Sequence, residues 1–235
     1  MGAPATDGAG VWLKSYADRR HCVPREVALD GRDRRPPRRL PCSTRLIDAG
    51  AGALLAQGSS LLDPRTGRIV LRARDVWAMA GRFVLTAAPS RSNLLLMDLR
   101  SGERWRLPWP SGVGRTGQGG ADEAAVQRDG RLIALGFSDP AYQGGATQVT
   151  DIWVLDPASH RIDQLPDMPA AVSLEFTSIA WARGRRLMIL AQTARRDVVG
   201  VWAPGQKRIS VRRVRLPARD SGSDSFVAWP SAGSA

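Results

Sequence analysis

Histidine, cysteine, lysine and long apolar runs are all scarce in this chain, and each shortage narrows what it can do. Only His21 and His160 could serve as an imidazole base, and no G-x-S-x-G elbow accompanies them. A Ser, His and acid triad needs such a base, and the chain offers no α/β segment to carry one, so a serine hydrolase is disfavoured. Cys22 and Cys42, with His21 beside the first, are too few soft ligands for a zinc centre. Apolar stretches such as Leu94 to Met97 and Leu187 to Leu190 are strand-sized, far short of the roughly 18 residues expected of a spanning helix. The first ten residues lack a basic segment leading into an apolar one, so they show no export signal.

Turn formers and arginine are abundant instead. The chain has 24 Gly and 16 Pro in 235 residues, a composition of many turns and few long helices. Its formal charge is +12, and of its 34 Lys plus Arg residues only Lys14 and Lys207 are lysine. Arginine spread through Ala, Gly and Pro reads as the coding habit of a GC-rich bacterium, so a solvated surface is favoured over a nucleic-acid or other polyanion site. If a polyanion site exists, the densest run, Arg32 to Pro41, is the place for it.

A two-part repeat organises the chain. One part is a tight turn and an apolar run: DGAGVWL from Asp7, AGRFVLT from Ala80, RDGRLIAL from Arg128 and ARGRRLMIL from Ala182. The other is an apolar strand, a turn carrying Asp, Pro or Gly, and a more alternating strand. Its copies begin at Val27, Leu61, Leu96, Trp153 and Val201. Together the parts predict four short strands per unit, with continuously apolar middle strands buried on both faces and an alternating outer strand. Stacked four-stranded sheets leave wet apolar ends unless they close into a ring. The expectation is therefore an all-β, five-bladed β-propeller. Its blades fall at about residues 11–42, 45–72, 75–108, 122–166 and 176–217, within one domain over 11–230 between flexible ends at 1–10 and 231–235. The first blade lacks an innermost strand, and FVAW at Phe226 to Trp229 resembles SIAW at Ser178 to Trp181. The C-terminal strand is thus expected to join the N-terminal blade and close the ring. The eight tryptophans, with Trp153 and Trp202 before their turns and Trp181 and Trp229 on innermost strands, are expected between blades as core.

AWARGRRLMIL and VQRDGRLIAL, each followed by a paired-strand unit such as IWVLDPASHRIDQLP, resemble TolB-like and WD-repeat-like β-propellers over about residues 11 to 230. The resemblance implies a binding platform or an accessory domain. The Trp-Asp endings of true WD repeats are absent, and blade length varies.

Candidate chemistry is sparse. Gly112, Gly114 and Gly117 match G-x-G-x-x-G, but they follow an outer strand with no helix after them, so they read as a connection between blades. His160 reads as a solvated turn residue. Cys22 and Cys42 are placed symmetrically about the turn near residue 32, which suits a cross-strand disulfide and would imply an oxidising, extracytoplasmic compartment. Asp48, Asp75, Asp122, Glu123, Glu175 and Asp224 lie near expected innermost strands, around a central channel. Converging there, they could hold Ca²⁺ or act as acid and base on a glycosidic bond; solvated loop carboxylates are the simpler reading, and no cofactor is expected. The sequence favours a non-enzymatic domain presenting its loop face to a protein or glycan partner. A five-bladed carbohydrate-active enzyme and a polyanion-binding surface are the alternatives.

Overall fold

The computed structural model describes residues 2–5, 8–34, 38–87, 93–112, 120–139, 147–173, 177–193 and 196–215. Short strands dominate, and the only helical segment among the described residues is the 3-10 turn Arg183–Arg185. No helix among them is long and apolar enough to cross a membrane.

The strands fall into successive antiparallel units. The first holds β1 (Gly2–Pro4), β2 (Gly10–Tyr16), β3 (His21–Ala28) and β4 (Leu40–Pro41), neighbours in that order. The second holds β5 (Arg45–Asp48), β6 (Ala53–Gln57), β7 (Ser60–Leu62) and β8 (Ile69–Leu71). The third holds β9 (Val76–Ala80), β10 (Phe83–Ala87), β11 (Asn93–Asp98) and β12 (Arg104–Pro108). The fourth holds β13 (Gly120–Val126), β14 (Ile133–Asp139), β15 (Thr147–Asp156) and β16 (Arg161–Gln164), with β17 (Ala170–Ser173) paired to the first half of β15. The fifth holds β18 (Thr177–Ala182), β19 (Arg186–Thr193), β20 (Arg196–Trp202) and β21 (Ser210–Val214).

Aspartate explains the turns. Asp63 Oδ1 accepts the N–H groups of Arg65 and Thr66, and Asp98 Oδ1 accepts that of Arg100. Asp156 Oδ1 accepts those of Ala158 and Ser159. The side chain thereby stands in for the backbone where the chain reverses. Gly67 and Gly102 end two of these turns at φ of 71° and 77°, which a side chain rarely adopts.

Packing runs from unit to unit. Leu46, Leu55, Trp12 and Leu40 are buried between the first and second units, and Ile47, Leu61, Val76 and Val84 between the second and third. Leu85, Leu96, Trp109, Leu135 and Phe137 fill the next seam; Ala134, Ile152, Trp181 and Ile189 fill the last. Every described tryptophan belongs to or packs against one of these clusters, so indole serves as seam filler.

The architecture departs from the expected ring. The sheets have four, eight, five and four strands and curl only partway, so the fold is not a closed five-bladed propeller. The eight-stranded sheet arises because β5 and β9 pair in parallel at Asp48 and Ala78, fusing the second and third units. The place beside β2 expected for the C-terminal strand is taken by β1, where Ala3 faces Trp12 and Pro4 faces Val11. Residues 1–10, expected as a flexible end, therefore contribute a strand, and Ala3 and Ala5 are buried in the first seam. The expected clasp, Phe226 to Trp229, lies outside the described residues.

Candidate functional site

The carboxylates expected at a channel mouth take separate roles. Asp48 ends β5, and its two oxygens accept the N–H groups of Gly50 at 2.7 Å and Val126 at 2.9 Å. It ties β5 to the end of β13, and Gly50 sits so close that a Cβ there would approach the Gln127 carbonyl to 2.7 Å. Desolvation pushes the Asp48 pKa up to about 7, opposed by those two N–H donors. Glu123 repeats the device one seam on. It accepts the Ile179 N–H at 2.7 Å and the Ser178 hydroxyl at 3.3 Å, while Trp181 Nε1 donates to the Ala125 carbonyl alongside. Asp75 precedes β9 at φ 52°, close enough to Arg45 to offset part of the lowering that burial imposes on the Arg45 pKa. It lies three residues from Ala78, the Asp48 partner, or about 10 Å along the strand.

The acids therefore occupy different levels and face different neighbours. Asp122 falls at a register break between Ala121 and Glu123. Glu175 and Asp224 lie outside the described residues, as do Gly114 and Gly117 of the glycine-rich connection. Among the described residues no three His, Cys, Asp or Glu side chains gather as a metal site. His160, expected to be solvated, stacks on Trp105 with ring centroids 4.0 Å apart and joins the seam between the third and fourth units.

Cys22 and Cys42 form a disulfide. The register sets Cys22 against Leu40 and His21 against Pro41, so the cysteines are diagonal neighbours rather than directly opposite. Lys14 Nζ secures the same corner by donating to the carbonyls of Cys42 at 3.0 Å and Thr44 at 2.9 Å. The bridge closes the loop that carries Arg32 to Pro41. For a loop of about 20 residues, chain entropy gives about 3 kcal/mol, so Cys22→Ser should lower Tm by roughly 6–12 °C. Calorimetry of the oxidised wild type and the variant measures this directly.

A constellation absent from the sequence reading occupies the seam between the first and second units. Glu26 on β3 is 1% exposed, and its Oε1 accepts from Arg34 Nη1 at 3.1 Å and Arg65 Nη2 at 2.7 Å. Arg65 comes from the Asp63 turn, which reaches across the seam; Arg34 and Arg38 come from the densest basic run. Beside them opens a cleft of about 190 Å³, with Trp12, Leu40, Leu55 and Leu62 in its apolar lining and Glu26, Arg38 and Arg65 as its charged groups. The sequence carried one signal for Glu26: it keeps the alternation of Cys22 and Pro24, and all three are buried. A glutamate on the buried face of a strand requires cationic partners, but their identity depends on a turn 39 residues away.

No family model and no curated protein matches the chain. Solved structures do resemble it. KlHsv2 with loop 6CD replaced by a Gly-Ser linker aligns with 94% of this chain and 69% of its own, at 12% identity and a TM-score of 0.50. Prolyl oligopeptidase B from Galerina marginata aligns with 94% of this chain at 12% identity and a TM-score of 0.49, and the tricorn protease with 87% at 16% and 0.42. The chain spans only 34% of that oligopeptidase and 22% of the tricorn protease. Likeness at these identities concerns fold alone, and the class it defines is an all-β, propeller-like domain.

Proposed function

We propose that this chain is a non-enzymatic binding domain of propeller-like build whose partner is a protein or a glycan. The observation that carries the reading is the use of the inner-strand acids. Asp48 and Glu123 each accept two hydrogen bonds, including backbone N–H groups of a neighbouring strand, and are thereby committed to joining units. A general acid or base needs freedom to exchange a proton with substrate at close range. The TolB-like and WD-repeat-like resemblance of the repeats supports the same reading. So does the disulfide for an oxidising compartment as its place of work.

The test is a thermal-shift screen of the intact chain against Ca²⁺, a panel of oligosaccharides, and heparin at two salt concentrations, with Asp122→Asn and Glu175→Gln assayed for glycoside hydrolysis beside the wild type. Wild-type hydrolysis lost in either amide variant with Tm unchanged would establish the carbohydrate-active enzyme instead. A second reading has its own observation: Arg208, Arg212, Arg213 and Arg215 are exposed on or beside β21, the outer edge of the last sheet. If that edge binds polyanions, heparin affinity should fall at least tenfold between 50 and 200 mM salt, about as expected for a few released counterions, and the heparin Tm shift should shrink with it.

A further inference from the structure

We propose that the cleft between the first and second units captures the C-terminal carboxylate of a peptide whose last side chain is apolar. The proposal rests on the binding-domain reading and names its partner chemistry. Charge is the first argument. Arg34 and Arg65 share one carboxylate oxygen of Glu26, and among the described residues Arg38 forms no ion pair. Asp63 is turned into its own loop, where it accepts the N–H groups of Arg65 and Thr66. The cleft is lined by two guanidinium groups, those of Arg38 and Arg65, and by one buried carboxylate, that of Glu26, and the Arg65 Nε–H is buried without an acceptor. A second carboxylate is the group that would complete this set, because guanidinium donors match carboxylate geometry.

Shape and polarity are the second argument. About 190 Å³ is the space of roughly six water molecules, enough for one side chain and its terminal carboxylate. Leu40, Leu55, Leu62 and Trp12 line this space, so an apolar side chain would gain burial there. A uronic acid would bring hydroxyl groups against Leu40, Leu55 and Leu62, with Gln57 as the one neutral polar side chain of the lining to meet them, and Trp12, 3% exposed, offers no open ring face for stacking a sugar. Position is the third. Gly67 of the Asp63 turn lies directly against the Arg38 guanidinium, so the turn and the basic run meet at the cleft. Recognition of a chain terminus by fixed donors beside an apolar pocket is an economical binding mode, since one charge and one side chain define the ligand.

Fluorescence anisotropy of a labelled Gly-Ser hexapeptide ending in leucine, titrated with the oxidised chain, tests the proposal. The free acid should bind at least tenfold more tightly than the same peptide as its C-terminal amide. Arg38→Gln should weaken the acid about tenfold while leaving Tm unchanged, because Arg38 holds no ion pair among the described residues. Equal binding of acid and amide overturns the proposal, as does an acid preference that survives in Arg38→Gln with its fold intact. The acid-to-amide comparison on the wild type stands even if the variant misfolds. Oligogalacturonate is titrated in parallel: tighter binding by the uronate, lost in Arg38→Gln, overturns the peptide assignment but leaves the binding-domain reading intact. Absence of binding by either ligand removes the cleft proposal and leaves the loop face to be judged by the thermal-shift screen.

Discussion

Replacing Arg34 and Arg65 together by methionine is expected to lower the unfolding free energy by about 3–5 kcal/mol, the cost of taking two cationic partners from a buried carboxylate. Glu26 is 1% exposed, and both of these guanidinium groups donate to its Oε1. Either single replacement leaves the other partner in place and should cost less than half as much. The arginines are themselves only partly buried, at 30% and 28% side-chain exposure, so they lose little when parted from the acid. The asymmetry gives a control. Adding Glu26→Gln to the double variant removes the buried charge and should recover most of the lost stability. Urea denaturation of the five proteins measures it, and a triple variant no more stable than the double would show that packing, not charge, dominates the seam.

That ion cluster marks where sequence reasoning stopped. Strand positions were legible wherever the signal is local. Asp-led turns, glycine at turn ends and the contrast between apolar middle strands and alternating outer strands all act within a few residues. The second to fifth units accordingly begin and end within a few residues of their expected spans. The Cys22–Cys42 bridge was legible for the same reason, although its register is shifted two residues from the symmetric pairing. β1 was not legible, because Gly2, Ala3 and Pro4 carry almost no strand propensity and owe their place to pairing with β2 and to burial against Trp12. Nor were the roles of Asp48 and Glu123. Their backbone partners lie 78 and 56 residues away, so sequence placed both acids near innermost strands but could not say what they would face.

Asp48 gives the molecule a distinctive pH dependence, opposite in sign to that of Asp18 and Asp33. Asp18 and Asp33 are held below the ordinary range, led by the Arg20 backbone N–H for the first and the Arg25 side chain for the second. What they contribute is present above the unfolded pKa and lost only as pH falls below about 4. For Asp48 the folded pKa is raised from 3.8 to about 7, so the folded state holds its proton longer than the unfolded chain does. Its stabilising contribution is complete below pH 3.8 and disappears as pH rises to about 7. Linkage over pH 5 to 7 gives a loss of about 2 kcal/mol, or roughly 4–8 °C in Tm for a chain of this size. Asp48→Asn cannot titrate. It keeps one acceptor for the Gly50 or Val126 N–H but turns an amide toward the other, so its absolute stability falls at every pH. The decisive quantity is thus the slope. Wild-type Tm minus variant Tm should shrink by several degrees from pH 5 to 7 and stay flat from 8 to 9, and subtraction removes whatever His21 and His160 contribute to both proteins. A difference that is constant with pH would mean the carboxylate is ionised throughout, held by its two N–H donors strongly enough to overcome burial. The tie between β5 and β13 would then be a charged hydrogen bond in the folded protein rather than a protonated one.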